Sequence, residues 1–518
     1  MSYFNNYMIS VSIKKQLLPY EADIRDLCIA FFPYQKIKFI EEGESIIEDS
    51  IIVENYFSGE LTENRLDNKS EIKRQLYDYL SNKTGKKLLW GTLTGIRPVT
   101  IVTGLIENGI NEREPLKRSI LKNLFFKNAM NLGVPAGTIP RKSQNTDFFE
   151  VPENIKEYLK KEYYISDEKA LKLIEIANRE EEILNRPLIK SYKEQYSIYI
   201  GVPFCKSTCL YCSFTSFNID KFSDYVDKYL SALENEFKKF ILDKTNNRLT
   251  PLTIYIGGGT PTSLDEMHFE KLLNLIDKYV DVSNVVEYTV EAGRPDTITE
   301  NKLRLMKEHR ITRISINPQT FNDKTLKLIG RKHTANEIIE KFNLARKIGF
   351  DNINMDIILG LPNEKIFEVL KTLFNVYKLK PDSLTVHSLA LKRAARLNYE
   401  LNDWTHNSYL AGMAESSREE GKRVIDKMYH MSEILAAILS LKPYYLYRQK
   451  NMAGNLENVG YSKVGKESIY NIMMMSERHT VVGFGTATTK EVFYENNGKR
   501  VESIEGYKSV IDYCKANN

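Results

Sequence analysis

The sequence has few cysteines and no long apolar run. Five cysteines in 518 residues are an odd, sparse set, which argues against a disulfide framework and for a reducing compartment. Residues 1–18 lack the apolar core of a signal peptide, and the sequence contains no stretch of about 18 apolar residues, so it predicts no membrane span. Lys and Arg exceed Asp and Glu by only five, which gives no indication of a nucleic-acid partner. We therefore expect a cytoplasmic protein.

The pattern of apolar runs predicts three parts. Residues 1–190 indicate an N-terminal α/β domain of unknown role. Residues 191–403 alternate short apolar strands with amphipathic helices, which predicts a parallel sheet with helices outside, in the form of a partial (β/α)6 TIM-like barrel. Residues 404–518 are expected to form a C-terminal extension that covers the substrate. The six predicted strands are Tyr196–Val202, Leu252–Ile256, Glu287–Glu291, Arg313–Asn317, Asn352–Ile358 and Ser383–Ser388.

Three closely spaced cysteines follow the first of these strands. Three residues lie between Cys205 and Cys209 and two between Cys209 and Cys212, so the three thiolates can converge on one soft-metal centre. Zinc in a closed site takes a fourth protein ligand, and Cys28 and Cys514 lie far away in the sequence. A set of three ligands favours an iron–sulfur cluster with one iron left open. A zinc knuckle or three core cysteines is the alternative.

A glycine-rich turn ends the second strand. The run Gly257–Thr262 reads Gly-Gly-Gly-Thr-Pro-Thr, and consecutive glycines let the backbone approach a ligand closely. Such a run alone is typical of an ordinary turn. One strand after a cysteine triad, it indicates a binding loop.

Together these motifs resemble the radical S-adenosylmethionine (SAM) superfamily, specifically the branch of oxygen-independent coproporphyrinogen III oxidase. Blocks outside the barrel resemble the subgroup called coproporphyrinogen dehydrogenase HemZ; these are Trp90–Pro98 and Tyr444–Tyr461. Further matching blocks occur in order at Glu291–Asp296, Arg313–Gln319, Ile329–His333, Asn354–Pro362 and Leu384–Ala390.

The resemblance implies a [4Fe–4S] cluster on Cys205, Cys209 and Cys212, with SAM at the open iron. It implies contacts to the methionine, ribose and adenine parts of SAM, and no residue is singled out as catalytic. The implied cofactor-binding residues are Tyr199, Tyr211, Gly258, Gly259, Thr260, Glu291, Gln319, Arg331, Asp356 and Ala390. In this set Arg331 pairs with a carboxylate and Asp356 takes a ribose hydroxyl.

Simpler explanations exist for some of these residues. Glu291 and Arg294 could form a surface ion pair, and Gln319, after a proline, could cap a strand end. Asp356 differs, because a carboxylate inside an apolar strand is costly unless a partner binds it.

The activity that the resemblance implies is oxidative decarboxylation of coproporphyrinogen III propionates to vinyl groups, in haem biosynthesis. It needs a one-electron donor such as flavodoxin or ferredoxin, and the open cluster predicts oxygen sensitivity and an anaerobic setting. The alternatives are a radical SAM enzyme acting on another porphyrin, on haem or on an unrelated substrate, or a haem-binding chaperone. One position departs from the resembling oxidase, which has His where this sequence has Gly201. Proton handling or a second SAM site is therefore expected to differ.

Overall fold

The computed structural model describes residues 8–32, 35–41, 50–54, 56–95, 97–107, 153–189, 191–214, 216–242, 250–390, 396–397, 424–449, 452, 455–495 and 498–518. Within these ranges no helix combines the length and the apolar character that a membrane crossing requires.

A small parallel sheet begins the chain. Strand β1 is central and pairs in parallel with β2 on one side and β3 on the other, and α1 and α2 pack with them around their own apolar core. The elements of this part are β1 (Met8–Ile13), α1 (Glu21–Phe31), β2 (Lys36–Glu41), β3 (Ser50–Val53), α2 (Arg65–Thr84), α3 (Val99–Glu107), α4 (Glu153–Tyr163) and α5 (Asp167–Leu184).

The central part is the predicted series of parallel strands. Its elements are β4 (Gln195–Val202), β5 (Phe204–Cys205), β6 (Phe217–Asn218), α6 (Val226–Leu242), β7 (Thr250–Gly258), α7 (Glu266–Tyr279), β8 (Glu287–Glu291), α8 (Glu300–Glu308), β9 (Arg313–Ser315), α9 (Asp323–Leu328), α10 (Ala335–Ile348), β10 (Ile353–Leu359), α11 (Ile366–Leu379) and β11 (Ser383–Ser388). Strands β4, β7, β8, β9, β10 and β11 are neighbours in that order and all parallel. Strand β10 is buried along its length except at a half-buried Asp356, as expected for a strand covered on both faces. The predicted α/β class and the strand series are confirmed.

The C-terminal part adds strands to both edges of this sheet. Its elements are α12 (Val424–Ile438), β12 (Lys442–Tyr447), β13 (Asn458–Ser462), α13 (Ile469–Ser476), β14 (Thr480–Gly485), β15 (Thr489–Glu495), β16 (Gly498–Ile504) and α14 (Val510–Asn517). Strand β13 pairs antiparallel with β11, and β14 pairs in parallel with β4, which gives an eleven-stranded sheet. The C-terminal segment therefore contributes strands to the central sheet at both of its edges. The domain limits at 190/191 and 403/404 stay predictions, and the second lies outside the described residues.

A buried cluster of charges joins α5 to the C-terminal part. Glu457 is fully buried, and its carboxylate accepts hydrogen bonds from Lys169 at 2.7 Å, the Tyr429 hydroxyl at 2.8 Å and the Trp90 indole at 2.9 Å. The Lys172 ammonium lies 3.4 Å from the same carboxylate. Burial alone would raise the pKa of Glu457, but the two ammonium groups and these hydrogen bonds outweigh it and hold the pKa at about 2.

We expect Glu457→Gln to lower the free energy of unfolding by about 3 to 5 kcal/mol, because it removes the nearer of the two carboxylates beside the buried Lys169 ammonium and leaves only Glu168, at 3.2 Å. Because the folded-state pKa is depressed, the contribution of Glu457 is present above its ordinary value of 4.5 and lost as the pH falls through about 2. Urea unfolding at neutral pH measures the difference. Glu505→Gln, at a side chain that is 78% exposed, is the control, with an expected change within about 0.5 kcal/mol. Equal effects of the two variants would show that the buried cluster adds no stability.

Candidate functional site

Several of the predicted site residues lie at or beyond the carboxyl ends of the parallel strands, while Tyr199 and Asp356 lie within β4 and β10. Gly258 is the last residue of β7 and Glu291 the last of β8. Gln319, beyond β9, forms a parallel bridge to β10, and Ala390, beyond β11, forms an antiparallel bridge to Met452. Because parallel strands present their carboxyl ends at one edge, these residues face a common region, the usual ligand position in such sheets.

The cysteine loop is held by backbone hydrogen bonds on both sides. Strand β5 ends at Cys205, whose carbonyl accepts from the Ile219 amide at 2.9 Å. The Leu210 amide donates to the Ile329 carbonyl at 3.0 Å, and the Cys212 amide donates to the Cys209 carbonyl at 3.1 Å. Cys205 and Cys209 are buried, while Cys212 is half-buried. The loop is thus a fixed support for the three thiols.

Polar groups surround two of the thiols. The Thr260 hydroxyl lies 3.3 Å from Cys205 Sγ, and Arg294 Nη1 lies 3.6 Å from Cys209 Sγ. Burial raises the pKa of the Cys205 thiol, and the Thr260 hydrogen bond opposes that rise. Arg294 does not pair with Glu291, contrary to the surface-pair alternative, but is buried against Asp296 at 3.1 Å. A hydroxyl donor and a guanidinium beside the sulfurs favour thiolate, the metal-binding form.

The glycine loop passes directly over the first cysteine. The Gly259 amide donates to the Val202 carbonyl at 2.7 Å, and the Thr260 amide donates to the Phe204 carbonyl at 2.8 Å. A Cβ on Gly259 would lie 2.6 Å from the Phe204 oxygen and 3.1 Å from Cys205 Sγ. Gly258 has φ of +100°, a conformation that side chains disfavour. The glycines therefore permit the close approach of this loop to the cysteine loop; the predicted approach to a ligand stays a prediction.

Three tyrosine rings stack beside Glu291. Tyr255 lies 4.4 Å from Tyr470 and 5.9 Å from Tyr199, measured between ring centroids. The Tyr255 hydroxyl donates to Glu291 Oε1 at 2.6 Å. Burial raises the pKa of Glu291 to about 7, and the Tyr255 hydrogen bond limits the rise. Neither Tyr255 nor Tyr470 is among the residues predicted from the sequence.

We expect Tyr255→Phe to raise the pKa of Glu291 further, by about one to two units, because a hydrogen bond to the charged form is removed. Since the folded-state pKa of Glu291 is already raised, its contribution to stability is present below 4.5 and is lost as the pH rises through about 7. Infrared difference spectroscopy of the carboxyl group follows the titration, with Glu291→Gln to assign the band. Tyr279→Phe, at a partly buried hydrogen bond to Glu234 rather than to Glu291, is the matched control. An unchanged titration in Tyr255→Phe would contradict the assignment of the hydrogen bond.

Arg331 and Gln319 each leave one buried polar atom without a partner. Arg331 Nη1 donates to the Asn317 carbonyl at 2.5 Å, while its Nε has no hydrogen-bond partner. Gln319 Oε1 is likewise unpaired, and its residue has φ of +64°. The Gln319 backbone continues the ladder with β10 through the Asp356 carbonyl at 2.9 Å, so the strand-end role and a ligand contact are compatible. Burial raises the pKa of Tyr211, and the neighbouring Arg331 guanidinium counteracts this rise.

Asp356 is not isolated in its strand. Its carboxylate accepts from Asn354 Nδ2 at 2.7 Å and lies 3.7 Å from His387 Nε2. The other ring nitrogen of His387 is 3.2 Å from the Tyr447 hydroxyl. Burial would raise the pKa of Asp356, but the His387 contact outweighs it and the pKa is lowered. The carboxylate is therefore ionised and able to accept a further hydrogen bond from a ligand.

Gly201 is packed against the turn between β14 and β15. A Cβ there would lie 2.9 Å from the Thr486 oxygen and 3.3 Å from the Ala487 Cβ. The Gly201 carbonyl accepts from the Tyr229 hydroxyl at 2.9 Å and from the Thr486 amide at 3.1 Å. Backbone of the C-terminal part thus occupies the space that a side chain at Gly201 would need.

These groups fit an iron–sulfur cluster with a polar ligand beside it. A single tetrahedral metal ion would gather the three sulfurs to roughly 4 Å from one another. Across the described ranges, however, the group of three residues whose metal-binding atoms all lie within 4.8 Å of one another is Glu168, His430 and Glu433, and not the three cysteines. The cysteines therefore leave room for a larger centre, and the unpaired polar atoms offer a donor and an acceptor to a bound molecule.

Comparison with known proteins agrees with this geometry. The family model of the radical SAM superfamily matches residues 199–375. The oxygen-independent coproporphyrinogen-III oxidase-like protein HemZ of Bacillus subtilis is 37% identical over 447 residues, 86% of this chain and 78% of that protein. The heme chaperone HemW of the same organism is 38% identical over 317 residues, 61% of this chain and 75% of that protein. Among solved structures, coproporphyrinogen III oxidase (HemN) from Escherichia coli aligns with a TM-score of 0.46 at 18% identity, covering 66% of this chain and 79% of that one.

The class defined by the fold and the family match is that of radical SAM proteins, which implies SAM and an iron–sulfur cluster. Within it, this chain belongs to the branch of oxygen-independent coproporphyrinogen III oxidase and its HemZ-like relatives. The resemblance drawn from the motifs is confirmed. The individual roles of the predicted site residues stay predictions.

Proposed function

We propose that this chain is a radical SAM oxidoreductase that decarboxylates two propionates of coproporphyrinogen III to vinyl groups without oxygen. The observation that supports the proposal is the convergence of the cysteine loop, the glycine loop, Glu291, Arg331 and Asp356 at one sheet edge. The substrate is suggested by the similarity to a coproporphyrinogen-III oxidase-like protein along most of the chain.

In this proposal Cys205, Cys209 and Cys212 hold a [4Fe–4S] cluster and SAM binds beside it. When bound, these groups supply one-electron chemistry that yields a hydrogen-abstracting radical. Gly259 and Thr260 of the glycine loop meet the methionine end of SAM. The remaining contacts are those predicted from the sequence, made by Tyr199, Tyr211, Gly258, Glu291, Gln319, Arg331, Asp356 and Ala390.

The charges of these side chains match those of SAM. A guanidinium suits the SAM carboxylate, and the lowered pKa of Asp356 keeps an acceptor available for a ribose hydroxyl. The pKa of Glu291, about 7, is close to neutral pH. Its side chain can therefore accept a hydrogen bond from an ammonium group as a carboxylate, or hold a proton at Oε1 or Oε2. The stacked rings of Tyr199, Tyr255 and Tyr470 fill the adjacent space and exclude water from it.

The test is anaerobic incubation of the reconstituted protein with SAM, dithionite and coproporphyrinogen III. We expect 5′-deoxyadenosine to form together with loss of two carboxyl groups per porphyrin. Deoxyadenosine without a change in porphyrin mass would keep the radical SAM activity and exclude this substrate. Absence of both products from a preparation that contains the cluster would overturn the proposal.

A haem chaperone is the second candidate, because the HemW relative has a sequence identity close to that of the HemZ relative, although over a shorter part of this chain. Such a protein takes up haem without turnover. The absorption spectrum of the purified chain titrated with haem distinguishes the two: stable haem binding without deoxyadenosine formation supports a chaperone.

A further inference from the structure

A groove lies directly outside the cysteine loop. Its cavity of about 800 Å³ is lined on one side by Ser207 and Thr208, the residues between the first two cysteines of the triad. Its other lining residues include five with basic side chains and one with an acidic side chain. These are Lys221, Lys327, Arg331, Lys332, Arg396 and Asp323.

This concentration of positive charge is local. The whole chain has a net charge of only +5, whereas five cationic side chains and one carboxylate line this one groove. Lys221, Lys327 and Lys332 are exposed. A concave surface lined with one sign of charge attracts a partner of the opposite sign and speeds its association.

Both walls of the groove are bonded to the cysteine loop. The Ser207 hydroxyl donates to the Gly330 carbonyl at 2.9 Å, beside Arg331 and Lys332. On the opposite wall, Asn218 Nδ2 donates to the Lys206 carbonyl at 2.9 Å. A protein seated in the groove would therefore touch the backbone that carries the thiols.

We propose that this groove is the docking surface for a small acidic electron-carrier protein of the flavodoxin type. The proposal rests on the proposed function, because it assigns the groove to delivery of the electron that the cluster requires. In the transfer the reduced carrier loses one electron and the cluster gains one, and no covalent bond forms or breaks. Charge complementarity selects the carrier, and contact with the loop between Cys205 and Cys209 provides a short path for the electron.

The test uses the full chain with its cluster and the double variant Lys221→Glu/Lys327→Glu. Both side chains are exposed and lie outside the proposed SAM contacts. Lys38→Glu/Lys87→Glu, at two exposed lysines of the N-terminal part, is the matched control with the same change in charge. Two quantities are measured: the Kd for oxidised flavodoxin at low and high salt, and the anaerobic rate of cluster reduction by reduced flavodoxin or by dithionite.

We expect the groove variant to bind flavodoxin at least about tenfold more weakly at low salt and to be reduced by flavodoxin at least about tenfold more slowly. Reduction by dithionite and both properties of the control should match the unaltered chain. Equal losses in the two double variants, or unaltered flavodoxin binding in the groove variant, would overturn the docking surface. A different ligand in the groove would also overturn the docking surface. This would be the result if coproporphyrin III or a single-stranded oligonucleotide bound to the unaltered chain, and Lys221→Glu/Lys327→Glu abolished that binding but not the binding of flavodoxin.

The two proposals fail separately. Flavodoxin binding is measured on the oxidised protein and does not depend on turnover. If the unaltered chain binds flavodoxin through the groove but leaves coproporphyrinogen III unchanged, the docking surface stands and the substrate assignment fails.

Discussion

Cys209→Ala is expected to lose the iron–sulfur centre, with iron and sulfide content falling about tenfold or more and SAM cleavage reduced to background. Three thiolates are the protein ligands that the site offers, and metal binding of this kind depends on every one of them. The Arg294 guanidinium, 3.6 Å from Cys209 Sγ, would also lose that contact and keep its ion pair with Asp296. Iron and sulfide analysis of the reconstituted protein, with its visible spectrum, measures the effect.

The chain offers matched controls for this substitution. Cys28 and Cys514 are buried in other parts of the structure, and burial raises the pKa of the Cys28 thiol to about 12, which makes it a poor ligand. We expect Cys28→Ala and Cys514→Ala to keep full iron content. Retention of the cluster in Cys209→Ala would show that the triad is not the ligand set.

Restoring the histidine of the resembling oxidase, by Gly201→His, is expected to lower the free energy of unfolding by about 3 kcal/mol or more. The Thr486 carbonyl leaves no room for a Cβ or an imidazole at position 201. The Thr486 amide also donates a hydrogen bond to the Gly201 carbonyl. A displaced turn would also disturb the Tyr229 hydrogen bond to the same carbonyl. Urea unfolding and the yield of folded protein measure the effect.

Gly95→His provides the comparison, because a Cβ at Gly95 meets nothing within 4 Å. We expect a change within about 0.5 kcal/mol there. A Gly201→His protein as stable as the unaltered chain would mean that the β14–β15 turn moves aside, and would reopen the possibility of a second SAM next to that residue.

The barrel strands could be predicted because their signal is local. Buried parallel strands such as β10 are continuous apolar runs between helices of 3.6-residue period. The positions of β13 and β14 could not be read in this way. Each joins the sheet by pairing with a strand far away in sequence, at opposite edges, and no local pattern specifies such a partner.

The same limit applies to the site. The cysteines and glycines were found because they are adjacent in sequence and form a motif. Tyr255 was missed although it is the register partner of Tyr199 on the neighbouring strand, a relation that strand alignment could have revealed. Arg294 was weighed as a surface residue because only the structure brings it to Asp296 and Cys209.

The two blocks outside the barrel that drew attention in the sequence are in contact. The Trp90 indole donates to Glu457, and the Arg448 guanidinium lies 4.7 Å from the Trp90 ring. The segments that resemble the HemZ subgroup therefore form one junction between the N-terminal helices and the C-terminal strands. The motifs alone did not indicate that these two segments are in contact.

The pairing of β14 with β4 has a consequence for synthesis of the protein. One edge of strand β4, which leads into the cysteine loop, is paired by residues 480–485, a segment that is synthesised long after β4. Contacts between segments so far apart form late in folding, and an open strand edge is prone to aggregation. The sheet around β4 is therefore complete only when this later segment is in place, and a partly folded chain exposes the open edge of the strand that leads into the cysteine loop.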